Sequence, residues 1–481
     1  MEIQRTLKEN LELLRPKLGI DSSFDVMLRE FLIGQTPAAM LYLDGFIQSQ
    51  VTSRVLEHLM KLTREDILPN PIEKLIQSHI PYFEVATIDN LESCVDEVLA
   101  GQAVLLLDGC TRAIAIDLRQ YPNRSIDEPD LERVTRGSHD GFVETALFNV
   151  NMIRRRLRDP GLRFEAVRVG RRSKTDVFIG YVNDIANLEW VNHTRELLQS
   201  IDTVSLTMGA KTLEGYLVRS KLNPFPTVRY TERPDVVVAH LLEGHIVLLT
   251  DTTPTAMLFP ASAWHFTQHA EEYFQNPTVG TYLKWVRFLA ILVAFLMTPL
   301  WFLLAANPQL RPEWLQWLGP RTGSEIPLFL QLVILELAID LTRMAFIHTP
   351  SALASSLGLV AAILLGDFAV QVGLFVPEAI LYQATSAIGF FALPNYEFSL
   401  ALRIFKILTL ILTGFFGLYG FLGGIGFTLA VMGATRSLDL PYLWPLIPFD
   451  WVALKRLILR YPIPEVTRRP KRLKTQDEDL A

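Results

Sequence analysis

Cysteine is scarce in this sequence, and positive charge is not in excess. The chain of 481 residues contains two cysteines, Cys94 and Cys110. Two cysteines cannot build a disulfide framework or a zinc-ligand pattern, which indicates a reducing compartment for the charged part of the chain. The formal net charge of -6 argues against nucleic acid as a main partner, because binding to phosphates requires a clustered basic surface.

The sequence also lacks the motifs of the common enzyme classes. It has no Walker A loop, no His-Glu-x-x-His motif, no Gly-x-Ser-x-Gly elbow and no dinucleotide-binding glycine fingerprint. His265 and His269 have the i, i+4 spacing of a metal-binding pair, but no third ligand lies nearby in the sequence. We therefore predict no enzyme activity, no catalytic residue, no metal site and no bound cofactor.

The N-terminus does not contain the continuous apolar stretch of a signal peptide. Residues 1–17 alternate charged residues with leucine, which predicts a short amphipathic helix. The N-terminus is therefore expected to start and to stay in the cytoplasm.

The sequence does contain a sharp change of composition near Tyr282. Hydrophobic residues make up 50% and charged residues 20% of the chain, but the charges concentrate in the first 280 positions and residues 286–432 are strongly apolar. We predict a cytoplasmic α/β region of two related subdomains, followed by an all-α multi-span transmembrane domain. The expected boundaries are 1–135 and 136–281 for the subdomains, 282–450 for the membrane domain and 451–481 for a basic cytoplasmic tail.

A repeated motif is the reason for predicting two related subdomains. Residues 98–108 (VLAGQAVLLLD) align with residues 241–251 (LLEGHIVLLTD). Each copy is typical of a helix end, a glycine cap, a buried strand and an aspartate-bearing turn that leads into a returning strand. Asp108 and Asp251 are thus equivalent, and aspartates in such turns are usually local hydrogen-bond acceptors.

A helix with a basic end is predicted between the two copies. Asp140 is the expected N-cap of this helix, which would run over residues 141–158. The cluster from Arg154 to Arg158 either matches the negative end of the helix dipole or docks an acidic partner or lipid headgroups.

Several apolar stretches are candidates for membrane segments. Residues 286–305 supply 20 nearly uncharged residues, about the number that crosses ~30 Å of hydrocarbon, and residues 350–376 form a second span. Residues 379–393 are short and indicate a thin crossing or a re-entrant hairpin. Residues 404–432 are too long for a straight crossing, and their repeated glycines indicate either close packing against a neighbour or a hinge.

A stripe of charged residues sets residues 326–347 apart. Glu336, Asp340 and Arg343 fall on one helical face, which cannot contact acyl chains. The helix either lies in the interface, which we favour, or spans with its stripe in a protein interior where Arg343 pairs with the two carboxylates. Four crossings and one interfacial helix would place both termini in the cytoplasm, which agrees with the basic residues after the last span.

The stretch 350–376 has two different faces. One face is a stripe of small residues that suits close helix packing in lipid: Ser355, Gly358, Ala362, Gly366, Ala369 and Gly373. The other face is polar and supplies the pore-lining candidates Ser356, Val360, Asp367 and Gln371. Asp367 either faces the wet lumen of a symmetric ring or makes a structural hydrogen bond, or else the small face lines the pore.

Four motifs make the chain resemble the GerA-type spore germination protein family, in particular its A-subunit-like members. In family order, they are RGSHDGFVE at 136–144 with Asn151 and IRRR at 153–156, NPFPTVRYTERPD at 223–235, LEGHIVLLTD at 242–251, and TRSLDLPYLW at 435–444. They extend over most of the chain.

The resemblance implies residence in the inner spore membrane and a part in germination. A-type subunits of this family are thought to form an oligomeric channel that releases monovalent cations such as potassium or sodium. The expected partners are membrane lipid, further copies of the chain and other germination membrane proteins. The alternative function is a non-conducting scaffold or signal-relay subunit of a germination receptor complex.

Overall fold

The computed structural model describes residues 1–80, 84–120, 132–218, 222–321, 323–348 and 369–480. The chain divides into an α/β unit and a helical unit. The α/β unit comprises Met1–Lys221, Val228–Pro260 and Ile463–Ala481, and the helical unit comprises Leu222–Thr227 and Ala261–Pro462. The predicted tail 451–481 is therefore shared between the two units.

The first half of the α/β unit is an antiparallel sheet covered by helices on both faces. Its strands pair in the order β1-β2-β4-β5-β3 and are β1 Val26–Ile33, β2 Thr36–Leu43, β3 Val85–Ile88, β4 Ala103–Leu107 and β5 Ala113–Ile116. Its helices are α1 Leu7–Leu18, α2 Ser49–Lys61, α3 Arg64–Ile67, α4 Pro71–Lys74, the π-helical turn Leu75–His79 and α5 Leu91–Leu99. The continuous apolar runs of β4 and β5 are buried on both faces, because α1 and α5 cover one side and α2 to α4 the other.

The second half has the same topology. Its strands pair in the order β6-β7-β9-β10-β8 and are β6 Leu162–Val169, β7 Thr175–Val182, β8 Arg229–Thr231, β9 Ile246–Thr250 and β10 Ala256–Phe259. Its helices are α6 Ala146–Arg156, α7 Leu188–Ser200, α8 Ala210–Leu217 and α9 Pro234–Glu243. The aligned motifs occupy equivalent places, since one forms α5, β4 and β5 and the other forms α9, β9 and β10.

The equivalent aspartates also make equivalent hydrogen bonds. Asp108 Oδ1 accepts a hydrogen bond of 2.8 Å from the backbone N–H of Leu7, the first residue of α1. Asp251 Oδ1 accepts one of 3.1 Å from the N–H of Ala146, the first residue of α6. Each aspartate therefore satisfies an N–H group that has no partner within its helix.

The prediction that Asp140 is the N-cap of α6 is wrong. Helix α6 begins at Ala146, several residues after Asp140. The Asp140 carboxylate instead pairs with the guanidinium of Arg156. A sequence pattern within one segment could not indicate the actual acceptor, because Asp251 lies 105 positions further along the chain.

The C-terminal segment belongs to the α/β unit. It contains the short 3-10 helices Ile463–Glu465 and Lys471–Leu473. Arg469 Nε donates a hydrogen bond of 2.7 Å to the carbonyl of Leu242, and the backbone N–H of Gln476 donates one of 3.0 Å to the carbonyl of Ile185.

The helical unit is built mainly from four apolar helices. Its helices are α10 Glu271–Phe274, α11 Pro277–Ala306, α12 Leu328–His348, α13 Ala369–Gln371, α14 Pro377–Phe391, α15 Tyr396–Ala434 and α16 Trp451–Ile458. It also contains the 3-10 helices Ala263–Phe266, Pro308–Leu310 and Glu313–Leu318 and the strand pair β11 Arg436–Ser437 and β12 Leu440–Pro441.

Side-chain contacts give the directions of the long helices. Ser386 of α14 donates a hydrogen bond of 2.7 Å to the carbonyl of Ala294 in α11, while the rings of Tyr382 and Trp301 stack at 4.8 Å. The contact positions rise along one helix as they fall along the other, so α11 and α14 are antiparallel. Helix α12 runs parallel to α14, because Gln331 and Glu336 contact Val376 and Gln383 in the same order.

Helix α15 is a helical hairpin rather than one rod. Gly417 has φ 58° and ψ -130°, a conformation that interrupts the helix. Beyond it the chain folds back, because a Cβ added to Gly424 would lie 2.8 Å from the Cα of Thr409 and the rings of Phe405 and Phe427 are 6.0 Å apart. Residues 396–416 and 418–434 are thus two antiparallel arms, and Gly424 permits their close approach.

Candidate functional site in the helical unit

A network of buried charges joins the helices of the helical unit. Glu336 of α12 is 2% exposed. One of its carboxylate oxygens accepts a hydrogen bond of 2.8 Å from Arg403 Nε and the other accepts one of 2.7 Å from Lys406 Nζ. Both cations lie on the first arm of α15, one helical turn apart.

Polar side chains extend the network to two further helices. Gln383 of α14 donates a hydrogen bond to Glu336 and accepts one of 2.9 Å from the hydroxyl of Thr298 in α11. Asp340, which is one turn beyond Glu336 and one third exposed, pairs with Arg403 Nη1 at 2.8 Å. The network therefore connects α11, α12, α14 and α15.

The charges of this network balance. Glu336 and Asp340 supply two negative charges, and Arg403 and Lys406 supply two positive ones. Taking one of these charges away would leave an uncompensated ion in an apolar interior, which is strongly destabilising. The network is therefore suited to fixing the packing and register of the four helices.

The structure corrects the predicted partner of this charged stripe. The side chains of Glu336 and Asp340 meet Arg403 of α15, whereas Arg343 lies over the rings of Tyr396, at 4.4 Å, and Phe391, at 5.9 Å. Two alternatives were predicted for this helix: a position in the interface, or a charged stripe inside the protein. The buried side chain of Glu336 agrees with the second alternative. The difference arises because oppositely charged groups on a second helix satisfy the carboxylates.

Sequence reasoning missed Arg403 and Lys406. The predicted apolar stretch 404–432 begins just after Arg403 and assigns no role to Lys406. The available signal was complementary spacing: two carboxylates one turn apart in residues 326–347, and two cations one turn apart at the start of an otherwise apolar helix.

Most of the predicted pore and packing residues lie outside the described residues. These are Ser356, Val360 and Asp367 of the polar face, and Ser355, Gly358, Ala362 and Gly366 of the small face. Ala369 begins α13, Gln371 ends it with an exposed side chain, and Gly373 follows with φ 77°. The functional assignments of both faces stay predictions.

His265 and His269, the two histidines with the spacing of a metal-binding pair, accept local hydrogen bonds. His265 Nδ1 accepts one of 2.9 Å from the backbone N–H of Ser262, and His269 Nδ1 accepts one of 3.2 Å from that of Glu271. Each ring thus accepts a hydrogen bond from a backbone N–H group that is close to it in the sequence.

A buried ion pair joins the two halves of the α/β unit. Asp25 precedes β1, and Arg154 lies in α6; both side chains are almost fully buried, with Nε and Oδ2 2.7 Å apart. Burial alone would raise the pKa of Asp25, but the charge of Arg154 and hydrogen bonds from Arg154 and Ser23 lower this pKa below its usual value. Arg154 thus has a partner inside the protein. Neither predicted role of the arginine cluster, a match to the helix dipole or docking of an acidic partner or lipid headgroups, included this partner.

A cleft of about 790 Å³ opens beside this pair. Ion pairs occur on both of its sides: Arg15 with Asp21 at 3.1 Å from the first half, and Arg195 with Glu165 at 2.5 Å from the second. Burial would raise the pKa of Glu165, but hydrogen bonds from Arg195 and Tyr181 and the charge of Arg195 lower it.

Among the residues that the structure describes, two helices, α11 and the two-armed α15, have the length and apolar composition of candidate membrane spans. The chain thus joins an α/β unit to a helical unit that contains candidate membrane spans and pairs its ionised groups internally, a composition typical of membrane proteins with a folded α/β part.

Sequence comparison then identifies the family. The chain belongs to the Bacillus/Clostridium GerA spore germination protein family, whose sequence model matches residues 13–472. It is 39% identical to stage V sporulation protein AF of Bacillus subtilis (strain 168), over 98% of this chain and 95% of that protein. It is 29% identical to spore germination protein GerLA of Bacillus cereus, over 100% of this chain and 98% of that protein.

One solved structure is also similar. It is the N-terminal domain of the A subunit of the Bacillus megaterium spore germinant receptor GerK3, which is 30% identical and has a TM-score of 0.43. The match covers 54% of this chain and 97% of that one. The predicted membership of a spore germination family is thus confirmed by the family match and by the named relatives.

Proposed function

We propose that this chain is a subunit of an oligomeric channel that releases monovalent cations such as potassium or sodium across the inner spore membrane during germination. The observation that carries the proposal is the polar stripe ending in Asp367 and Gln371 within the apolar stretch 350–376. A ring of carboxylates, one from each subunit, favours cations in a pore. Membership of a spore germination protein family supports a role in germination.

The buried charge network is suited to a structural role that is separate from ion conduction. Its four charged groups are paired with one another, and Glu336 and Lys406 are almost fully buried. Such a network holds helices in place, because moving an ion through it would separate buried pairs. We therefore assign conduction to the stripe with Asp367 and scaffolding to the network.

The directions of the helices support a multi-span arrangement. Helices α11 and α14 run antiparallel, α12 runs parallel to α14, and the two arms of α15 run antiparallel to each other. Together with residues 350–376 they supply six segments. An even number agrees with the α/β unit containing both the first residues and the C-terminal segment, and the basic residues after the last segment favour the cytoplasmic side for both termini.

The test is ion flux through the purified full-length protein in liposomes. We expect potassium or sodium release from wild-type vesicles, and an altered rate or ion preference for Asp367→Asn because the carboxylate is lost. The matched control is Glu313→Gln, which also replaces a carboxylate by an amide of the same shape, but at an exposed position. Unchanged flux and ion preference in Asp367→Asn would contradict the pore assignment.

A non-conducting scaffold or signal relay is the second candidate. The cleft of about 790 Å³ in the α/β unit favours it, because such a cleft gives a relay subunit a place to receive a ligand or a partner. Relatives named as spore germination proteins suggest other germination membrane proteins as partners. Absence of flux in vesicles that contain folded protein would favour this function.

A further inference from the structure

The segment around α16 exposes four large apolar side chains that lie close together in the sequence. Ile447, Phe449, Trp451 and Val452 are 61%, 68%, 55% and 62% exposed. They follow one another within six positions, so they form a continuous surface rather than scattered exposed residues. Patches of this kind usually mark a contact with a protein or a membrane.

The same segment is positively charged. Residues 446–462 contain three basic residues, Lys455, Arg456 and Arg460, and one acidic residue, Asp450, a net charge of about +2. Asp450 caps α16, because its carboxylate accepts hydrogen bonds of 3.1 Å from the N–H groups of Val452 and Ala453. Lys455 Nζ lies 5.2 Å from the centre of the Trp451 ring, which places a cation beside the apolar surface.

Contacts with α11 fix the level of this segment along the apolar helices. Lys284 Nζ donates a hydrogen bond of 3.3 Å to the carbonyl of Arg456, and the hydroxyl of Thr281 accepts one of 3.0 Å from the N–H of Arg460. Both contacts lie just before Val286, where the apolar part of α11 begins. Tyr282 and Trp285 are exposed at the same level, as aromatic residues commonly are at a membrane interface.

We propose that α16 and residues 445–450 form a docking surface for anionic phospholipid in the bilayer around the protein. The exposed aromatic and aliphatic side chains would enter the headgroup and upper acyl region, and Lys455 would pair with lipid phosphate. Charge complementarity favours this occupant over a second copy of the same surface, because two such surfaces would repel each other. The inference rests on the membrane placement in the proposed function and is independent of ion conduction.

The experiment measures which lipid contacts α16. Full-length protein with Cys110→Ser and Val452→Cys is labelled with bimane and reconstituted with brominated phosphatidylglycerol or brominated phosphatidylcholine, which quench on contact. We expect quenching by phosphatidylglycerol at about fivefold lower lipid content, since one basic residue near a surface changes anionic lipid binding by roughly that factor. Lys455→Glu should abolish the preference.

Two controls accompany this measurement. Arg172→Gln with Lys174→Gln removes two exposed cations from the β6–β7 turn and should leave the preference unchanged. A bimane at Leu292→Cys, an exposed position in the apolar part of α11, should be quenched by both lipids equally, because it lies about two helical turns beyond the level of α16.

The outcomes separate this inference from the proposed function. Equal quenching at position 452 by both lipids, or a preference that survives Lys455→Glu in folded protein, would overturn the docking surface. So would a label at 452 that is shielded from both lipids in proportion to protein concentration, because a second copy would then cover it. Quenching at neither 452 nor 292 would overturn the membrane placement itself, whatever the ion flux.

Discussion

At the scale of single residues, the pairing of Asp25 with Arg154 is the clearest case of chemistry dictated by burial. Ser23 completes the site, since its hydroxyl donates to Asp25 at 2.6 Å and accepts from Arg154 Nη2 at 3.0 Å and from the N–H of Phe164 at 2.9 Å. The guanidinium of Arg154 also lies 5.5 Å from the centre of the Phe164 ring. These polar contacts thus join residues from both halves of the α/β unit.

Asp25→Ala should destabilise the α/β unit by about 3–5 kcal/mol, because it leaves the buried Arg154 without its carboxylate partner. Thermal or denaturant unfolding of the full-length protein in detergent measures this change. The matched control is Asp176→Ala, which breaks a pair with Arg168 whose side chains are 43% and 77% exposed and should cost less than about 1 kcal/mol. Equal effects of the two substitutions would contradict the role of burial.

The same pair predicts a dependence of stability on pH. The pKa of Asp25 is lower in the folded protein than its usual value, so the stability that its ionisation contributes is complete above the unfolded pKa of about 3.9 and is lost as pH falls through the folded pKa. The unfolding midpoint of Asp25→Ala should therefore fall less steeply than that of the wild type below about pH 4.

At the scale of elements, the reversal in α15 depends on one backbone conformation. Gly417 adopts a positive φ of 58° with ψ -130°, a combination that side chains with a Cβ strongly disfavour. Gly424 serves a different purpose, since any side chain there would meet Thr409 of the other arm. The repeated glycines of this stretch therefore have distinct roles.

Gly417→Ala should destabilise the hairpin by about 1–3 kcal/mol, because alanine must adopt a strained conformation at the turn. The melting temperature of the detergent-solubilised protein measures the loss. Gly426→Ala is the control, since a Cβ at this helical position meets no atom within 4 Å, and the expected change is within about 0.5 kcal/mol. A harmless Gly417→Ala would show that the turn does not need glycine.

The buried network gives a second prediction at this scale. Glu336→Gln should destabilise the helical unit by roughly 3 kcal/mol, because Arg403 and Lys406 then share only the partly exposed Asp340. The double variant Glu336→Gln with Lys406→Met restores charge balance and should recover part of the loss. Detergent unfolding of both variants, with Glu313→Gln as an exposed control, measures this coupling; simple additivity of the two substitutions would contradict it.

Local elements were predictable from the sequence where their signals were local. The aligned motifs 98–108 and 241–251 indicated two equivalent halves, and each motif forms a helix end followed by a buried strand. The cap of α6 and the partners of Glu336 were not predictable in this way. Their acceptors and donors, Asp251, Arg403 and Lys406, lie tens of residues away in the sequence, so only tertiary contacts bring them together.

At the scale of the whole molecule, the α/β unit contains both ends of the described chain. Its first residues and its C-terminal segment belong to this one unit. Within the helical unit, the start of α11 and the turn of α15 lie at opposite ends of the helices, because Phe329 contacts both Phe302, near the end of α11, and Phe415, near the turn.

Cysteine labelling tests this arrangement. In sealed inverted membrane vesicles, an impermeant maleimide should label Val279→Cys and Met208→Cys but reach Tyr419→Cys only after permeabilisation. All three positions are exposed. The background needs only Cys110→Ser, because burial, followed by the nearby charge of Glu97, raises the pKa of Cys94 to about 12 and suppresses its reactive thiolate. Direct labelling of position 419 in these vesicles would contradict the opposite placement of the hairpin turn.

The two aspartate caps have a consequence for synthesis of the chain. The acceptor for the first N–H of α1 lies 101 positions later, and the acceptor for the first N–H of α6 lies 105 positions later. Neither hydrogen bond can form before the ribosome has added its aspartate, since the loop between donor and acceptor must close first. A nascent chain that ends between Leu7 and Asp108 therefore leaves the first N–H of α1 without this acceptor, and each half of the α/β unit joins its beginning to its later part only when that part has been made.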